Sequence, residues 1–184
     1  MAGQIYQLKV TILGTQPPVW RRLLVADSTT LPDLHRILQN AFGWEDCHLH
    51  AFTIEGLRFG TDIEDDTPPD NDESRAHLRQ IAKEGTLVRY LYDFGDSWEH
   101  DILVEKITDR VAGIAYPVCT DGDRACPPED CGGVWGFGEL LEIILDPLHA
   151  ERDAMLEWVG EDYNPTAFDK DEVNRQLRRL PLRR

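Results

Sequence analysis

Side chains able to do chemistry gather in three short stretches of the chain. The densest is Tyr90-Leu-Tyr-Asp-Phe-Gly-Asp-Ser-Trp-Glu-His100. It reads as two antiparallel strands, Thr86 to Phe94 and Trp98 to Ile107, joined at Gly95-Asp96-Ser97. Strand alternation then puts Trp98, His100, Ile102 and Val104 on one face and Glu99, Asp101 and Glu105 on the other. His100 therefore points with the apolar set, while Asp93 and Asp96 sit at the hairpin end. An inward imidazole near two carboxylates is either a tuned base or ligand, or a buried histidine satisfied by one hydrogen bond beside a turn. The second stretch is His48-Leu-His50. On a strand, residues i and i+2 share a face, so both imidazoles can reach one ion, and with a carboxylate they suit Fe, Zn or Mn. The third runs from Cys119 through Cys126 to Cys131. Three thiols in a Gly/Pro-rich loop can wrap zinc, with His100, His149 or Asp130 as a fourth ligand. Six residues separate the first two, more than in the close pairs of structural zinc sites, and four separate the last two, the upper limit of such pairs; the other reading is three reduced, partly buried thiols. Within that loop Pro127-Pro128 fixes the approach of the chain and aims Glu129 and Asp130.

Several familiar chemistries are missing. Gly95-Asp-Ser97-Trp-Glu99 breaks the nucleophile-elbow pattern at its last position, and neither glycine-rich phosphate loop is present. The serines, Ser28, Ser74 and Ser97, all lie in acidic surroundings. His149-Ala-Glu-Arg152 matches a fragment of the tyrosine-recombinase pattern, but lies on an acidic segment and reads as chance.

The elements that must position these residues are legible. Tyr6, Leu8, Val10 and Ile12 alternate with polar residues, and Val19 to Val25 resumes extended structure after Gly14-Thr-Gln-Pro-Pro, which predicts a β-hairpin. Thr29 or Thr30 caps a helix with Pro32 in its first turn; Leu31, Leu34, Leu38, Ala41 and Phe42 form its apolar stripe, and Gly43 ends it. Leu49 to Ile54 and Leu57 to Phe59 read as strands, and Arg75 to Lys83 as a short helix. Cys119 to Gly133 reads as irregular. Three helical patterns follow, over 137–145, 148–159 and 169–180. Strands first and helices last predict an α+β fold: a largely antiparallel sheet opened by a hairpin and helix, with C-terminal helices packed on one face.

The chain has 184 residues and a formal charge of −15. That length suits a single domain over 1–184, and the charge argues against a general nucleic-acid binder. Seven of the twelve residues from 62 to 73 are Asp or Glu, an exposed acidic loop, whereas 175–184 carries five arginines and no acid. No apolar run reaches the length of a membrane span, and the start shows no basic, then apolar, leader. The expected compartment is therefore the cytoplasm, with reduced thiols.

Leu8-Lys-Val-Thr-Ile-Leu13, Pro18-Val-Trp-Arg-Arg-Leu23, Leu34-His-Arg-Ile-Leu-Gln39, Phe42-Gly-Trp44, His48-Leu-His-Ala-Phe52, Tyr92-Asp-Phe-Gly-Asp-Ser-Trp-Glu-His100 and Cys126-Pro-Pro-Glu-Asp-Cys-Gly-Gly133 together resemble the Ri-plasmid ORF-3-like family. Members occur on plasmids, in transposable elements and in chromosomes, and some are labelled transposon resolvases. The resemblance runs from about Tyr6 to Leu177. It implies a compact α+β fold and supplies no reaction. It directs attention to Trp20, Arg21, Arg22, His48, Asp93, Gly95, Asp96, Trp98, His100, Glu129, Asp130, Gly132 and Gly133.

Three readings follow. Without a catalytic signature, the favoured one is a non-enzymatic binding or accessory module linked to mobile elements. It would contact a protein or small-molecule partner, with Trp20, Arg21, Arg22, His48, His50, Asp93 and Trp98 as ligand-binding residues. The alternative is a metal-dependent hydrolase or nuclease in which Asp93, Asp96, Glu129 or Asp130 holds a divalent ion and His100 is base or ligand. In that reading the carboxylates would take Mg or Mn, and Cys119, Cys126 and Cys131 would take Zn. A second alternative is nucleic-acid binding through Arg21, Arg22 and the Arg-rich tail.

Overall fold

The computed structural model describes residues 3–60 and 71–181. In chain order the elements are β1 (Gln4–Ile12), β2 (Trp20–Ala26), α1 (Leu31–Phe42), β3 (His50–Ile54), β4 (Leu57–Gly60), α2 (Leu78–Ile81), β5 (Leu87–Tyr92), β6 (Trp98–Asp109), β7 (Val118–Asp123), α3 (Gly133–Leu145), α4 (Arg152–Val159) and α5 (Lys170–Leu177). The strands form one antiparallel sheet in the order β4-β3-β5-β6-β1-β2-β7. This is the expected α+β architecture.

Alternation decides which face is buried. Tyr6, Leu8, Val10 and Ile12 of β1, Leu23 and Val25 of β2, and Trp98, His100, Ile102 and Val104 of β6 all point into the core. Lys9, Arg22, Arg89, Glu99, Asp101 and Glu105 occupy the other face, where Arg22 pairs with Glu105 at 2.8 Å and Arg89 with Asp101 at 2.7 Å. The register shifts by one residue between Gln7 and Leu8 opposite β6, a bulge that lets both strands keep their apolar sets inward.

Helix α1 covers the buried face. Thr30 caps it by accepting from the Asp33 N–H, and Gly43 closes it in the left-handed region at φ 84°, where its N–H reaches the Gln39 carbonyl. All five residues of its expected apolar stripe are buried. Helix α5 packs against α1 and β7, with Asp169 accepting from the Asp171 and Glu172 N–H groups at its start.

Three local expectations need correction. Residues 118–123 are a strand, because β7 completes the β2 edge; its mixed sequence hid this, and Gly122 is small because the Phe168 ring lies on it. The segment from Arg75 to Lys83 divides into a 3₁₀ turn at Glu73–Arg75 and the single turn α2. Helix α3 starts four residues before the expected Phe137, and α4 four residues after the expected Leu148. Of the acidic loop, 62–70 lies outside the described residues; Asp72 caps the 3₁₀ turn by accepting from the Ser74 N–H. Residues 182–184 of the Arg-rich tail also lie outside them, while Arg175 pairs within α5 with Glu172.

Candidate metal centre at one end of the sheet

Antiparallel pairing brings the β1–β2 turn, the β5–β6 turn and the start of β3 to one end of the sheet. The loop from 124 to 132 and the first turn of α3 close over that end. Gly133 abuts the Asp96 carbonyl so tightly that a Cβ would overlap it, and Val134 lies against Gly14. Asp96 also accepts from the Gly132 N–H at 3.0 Å. Trp44 forms the floor: its ring packs on Tyr92 at 4.9 Å and edge-on to His100 at 5.2 Å, and its Nε1–H donates to the Pro127 carbonyl. Burial of this indole pins the Pro-Pro segment to the core, which gives the two residues that follow a fixed direction.

On that frame stand His48, Asp93, Glu129 and Asp130. His48 Nε2 is 3.1 Å from Asp130 Oδ1, 3.7 Å from Asp93 Oδ2 and 3.8 Å from Glu129 Oε2. None of these contacts has the alignment of a hydrogen bond, so His48 Nε2 and Glu129 Oε2 are buried atoms without hydrogen-bond partners. One oxygen each of Asp93 and Glu129 is committed. Asp93 Oδ1 accepts from the Gly95 N–H at 2.8 Å; Glu129 Oε1 accepts from the Tyr92 hydroxyl at 3.0 Å and the Glu45 N–H at 2.9 Å. Asp93 and Asp130 hold positive φ, 52° and 54°, a turn geometry that aspartate tolerates better than most residues. Burial and the bond to Glu129 raise the Tyr92 phenol far above its ordinary range, so it stays a donor.

Two sets of ligand atoms lie close enough to share an ion: His48 with Asp93 and Asp130, and Cys47 with His48 and Glu129. Among the described residues these three carboxylates form ion pairs only with His48. Each set shares the His48 imidazole and could hold a cation; its nitrogen and oxygen donors, with a thiol in the second set, suit Zn, Fe or Mn better than an all-oxygen ion such as Ca.

Other expected site residues lie elsewhere. His100 faces the core as read, but it is fully buried behind Trp44, with Nδ1 against the Trp98 and Tyr90 carbonyls and a pKa lowered to about 4 by burial. It is a core histidine and does not reach the carboxylates. Asp96 shapes the loop through Gly132 and is not in the cluster. His48 and His50 do not converge, because β3 begins only at His50 and His48 belongs to the preceding loop, free of strand alternation. His50 instead stacks on His35, centroids 3.6 Å apart, and faces Glu73 at 3.3 Å. Trp98 is core. Trp20 sits on the outer face between Lys9 and Arg22, 5.2 and 5.1 Å from its ring.

Arg21 is buried. It donates to the carbonyls of Ala41, Trp20 and Asp123 and lies over the Phe42 and Phe168 rings, so it staples β2, β7 and the C-terminus of α1. Arg22 is paired with Glu105 and Asp121. Neither arginine presents a free cation to a phosphate backbone. The thiols of Cys119, Cys126 and Cys131 do not gather around one point, since Cys119 is held inward on β7. Burial raises all three thiol pKa values, Cys131 to about 12, so they stay protonated.

Sequence reasoning passed over Tyr92, Cys47 and His35. Tyr92 looked like an ordinary strand aromatic. His35 was marked only by falling four residues after Leu31 on the buried stripe of α1, where it bridges Asp46 and the Tyr90 hydroxyl.

Residues 4–172 match the family described as plasmid pRiA4b ORF-3-like protein. The chain is 36% identical over 180 residues to uncharacterized protein y4hQ of Sinorhizobium fredii (strain NBRC 101917 / NGR234), covering 96% of this chain and 92% of that one. Among solved structures it is similar to a protein of unknown function, MM3350 from Methanosarcina mazei Go1, with a TM-score of 0.86 and 37% identity over 94% of this chain and 98% of that one. With a fold match of that extent and a family match over nearly its whole length, the chain belongs to the plasmid pRiA4b ORF-3-like family.

Proposed function

We propose that this protein is a divalent-metal-binding module whose ion is held by His48, Asp93, Glu129 and Asp130, with Cys47 at the exposed edge. One observation carries the reading. Two buried polar atoms without hydrogen-bond partners, His48 Nε2 and Glu129 Oε2, face one another at 3.8 Å with two more carboxylates beside them. An unpaired buried polar atom costs about 1–3 kcal/mol, and a cation would satisfy both at once. Tyr92 and the Glu45 N–H would hold Glu129 in place, the outer-shell support that ligating carboxylates need.

Binding, with no reaction named, is the function these residues support best. A hydrolytic second reading has one observation in its favour: the Asp130 side chain is 72% exposed. Solvent reaches that side of the cluster, so an ion there could keep a water and lower its pKa. The plasmid in the family's description supports an accessory role on mobile elements.

Calorimetric titration of the chelator-treated protein with Zn and with Mn is the test. The expected result is about one equivalent bound with at least one of the two metals, and roughly a tenfold or greater weakening in His48→Ala and in Glu129→Gln. Unchanged uptake in both variants would reject the site. Hydrolysis of an activated phosphodiester by the loaded protein, lost in His48→Ala, would favour the hydrolytic reading over pure binding.

A further inference from the structure

Helix α3 buries Phe137, Leu140, Ile143 and Ile144 and carries a second apolar arc in which Val134 and Leu141 pack partly on the core while Trp135 and Leu145 are exposed. At 100° per residue, Val134, Trp135, Gly138, Leu141 and Leu145 fall within roughly 120° of the helix surface. Trp135 is 91% exposed, and Leu148, just beyond the helix, is 92% exposed. An indole left in water on a helix whose other face is core has no packing reason for its position. It forms one wall of a groove of about 770 Å³, whose opposite wall is the turn Gly14-Thr15-Gln16. Glu139 and Glu142 also line it, and no Lys or Arg does. Among the described residues neither carboxylate has an ion-pair partner.

We infer that this groove docks an arginine-bearing apolar segment of another protein. The apolar wall takes a leucine-sized side chain, the two unpaired carboxylates take a guanidinium, and the Trp135 face can take the cation as well. Charge selects this occupant. At −15 the molecule repels a nucleic acid, an anionic membrane and the acidic body of a second copy alike. The groove shares no residue with the His48 cluster, so the inference stands apart from the metal reading.

Three short fluorescent peptides test it by anisotropy against the full chain: one of alternating Leu and Arg pairs, one with Glu in place of every Arg, and one with Ser in place of every Leu. Only the Leu/Arg peptide is expected to bind saturably. Trp135→Ala, whose site is exposed and whose melting temperature should not change, is expected to weaken it by roughly tenfold. The double variant Glu139→Gln, Glu142→Gln should weaken it and flatten its salt dependence. Equal binding of the Ser/Arg peptide would reduce the effect to surface charge and overturn the inference. So would binding that ignores Trp135→Ala, or no binding at all. A Trp135-dependent dimer in sedimentation would give the groove to a second copy instead.

Discussion

At the scale of single residues, burial has taken most of the chemically suggestive side chains out of service. His100 shows the consequence for pH. Its pKa is lowered from 6.5 to about 4 because the core has no place for its charged form. The unfolded chain therefore binds the extra proton between those values, and stability rises with pH across them. The contribution is fully present above about pH 6.5 and is lost as the pH falls toward 4, by about 3 kcal/mol in all. His35, also lowered by burial, acts in the same direction. Urea unfolding at about pH 7 and pH 5 should show this loss, and His100→Gln should flatten it. An unchanged slope in the variant would place the acid sensitivity elsewhere. His48 differs from His100 in having carboxylates for neighbours where His100 has rings and carbonyls, and that difference separates a candidate ligand from a core residue.

At the scale of elements, the site depends on how α3 meets the β5–β6 turn. Gly133 sits at φ 68° with no room for a Cβ beside the Asp96 carbonyl. Gly133→Ala should thus cost roughly 1–3 kcal/mol in strain and displacement. It should also move the loop bearing Glu129 and Asp130 away from Asp93. Thermal unfolding and metal titration of the one variant read both effects, and a stable Gly133→Ala with normal metal affinity would show that the junction is not what sets the site. The same element bears on the two readings of the loop before α3, a zinc cage or three reduced thiols, both of which rest on cysteines close in sequence. Pairing of β7 with β2 holds Cys119 in the core, and the anchoring of Pro127 by Trp44 sets Glu129 and Asp130 beside His48 instead.

For the whole molecule, net charge governs the long-range electrostatics. Fifteen excess negative charges repel one another in the folded state, and the outer-face ion pairs Arg22–Glu105 and Arg89–Asp101 offset only part of this. Raising NaCl from about 20 to about 300 mM should increase the melting temperature, because screening relieves long-range repulsion more than it weakens those short pairs. A fall would mean that the ion pairs dominate. The acidity, the hairpin, α1 with both its caps and the inward run Trp98, His100, Ile102 and Val104 were all determined by the sequence alone. Composition is a plain sum over the chain, and periodicity and capping chemistry are local, each complete within roughly a dozen residues. Only the tertiary structure decided that His48 meets Asp93, Glu129 and Asp130 while His50 and His100 do not. Those four side chains come from three segments separated by roughly forty residues each. Their convergence is set by sheet order and by one indole packed under a proline pair, long-range contacts that no local pattern encodes.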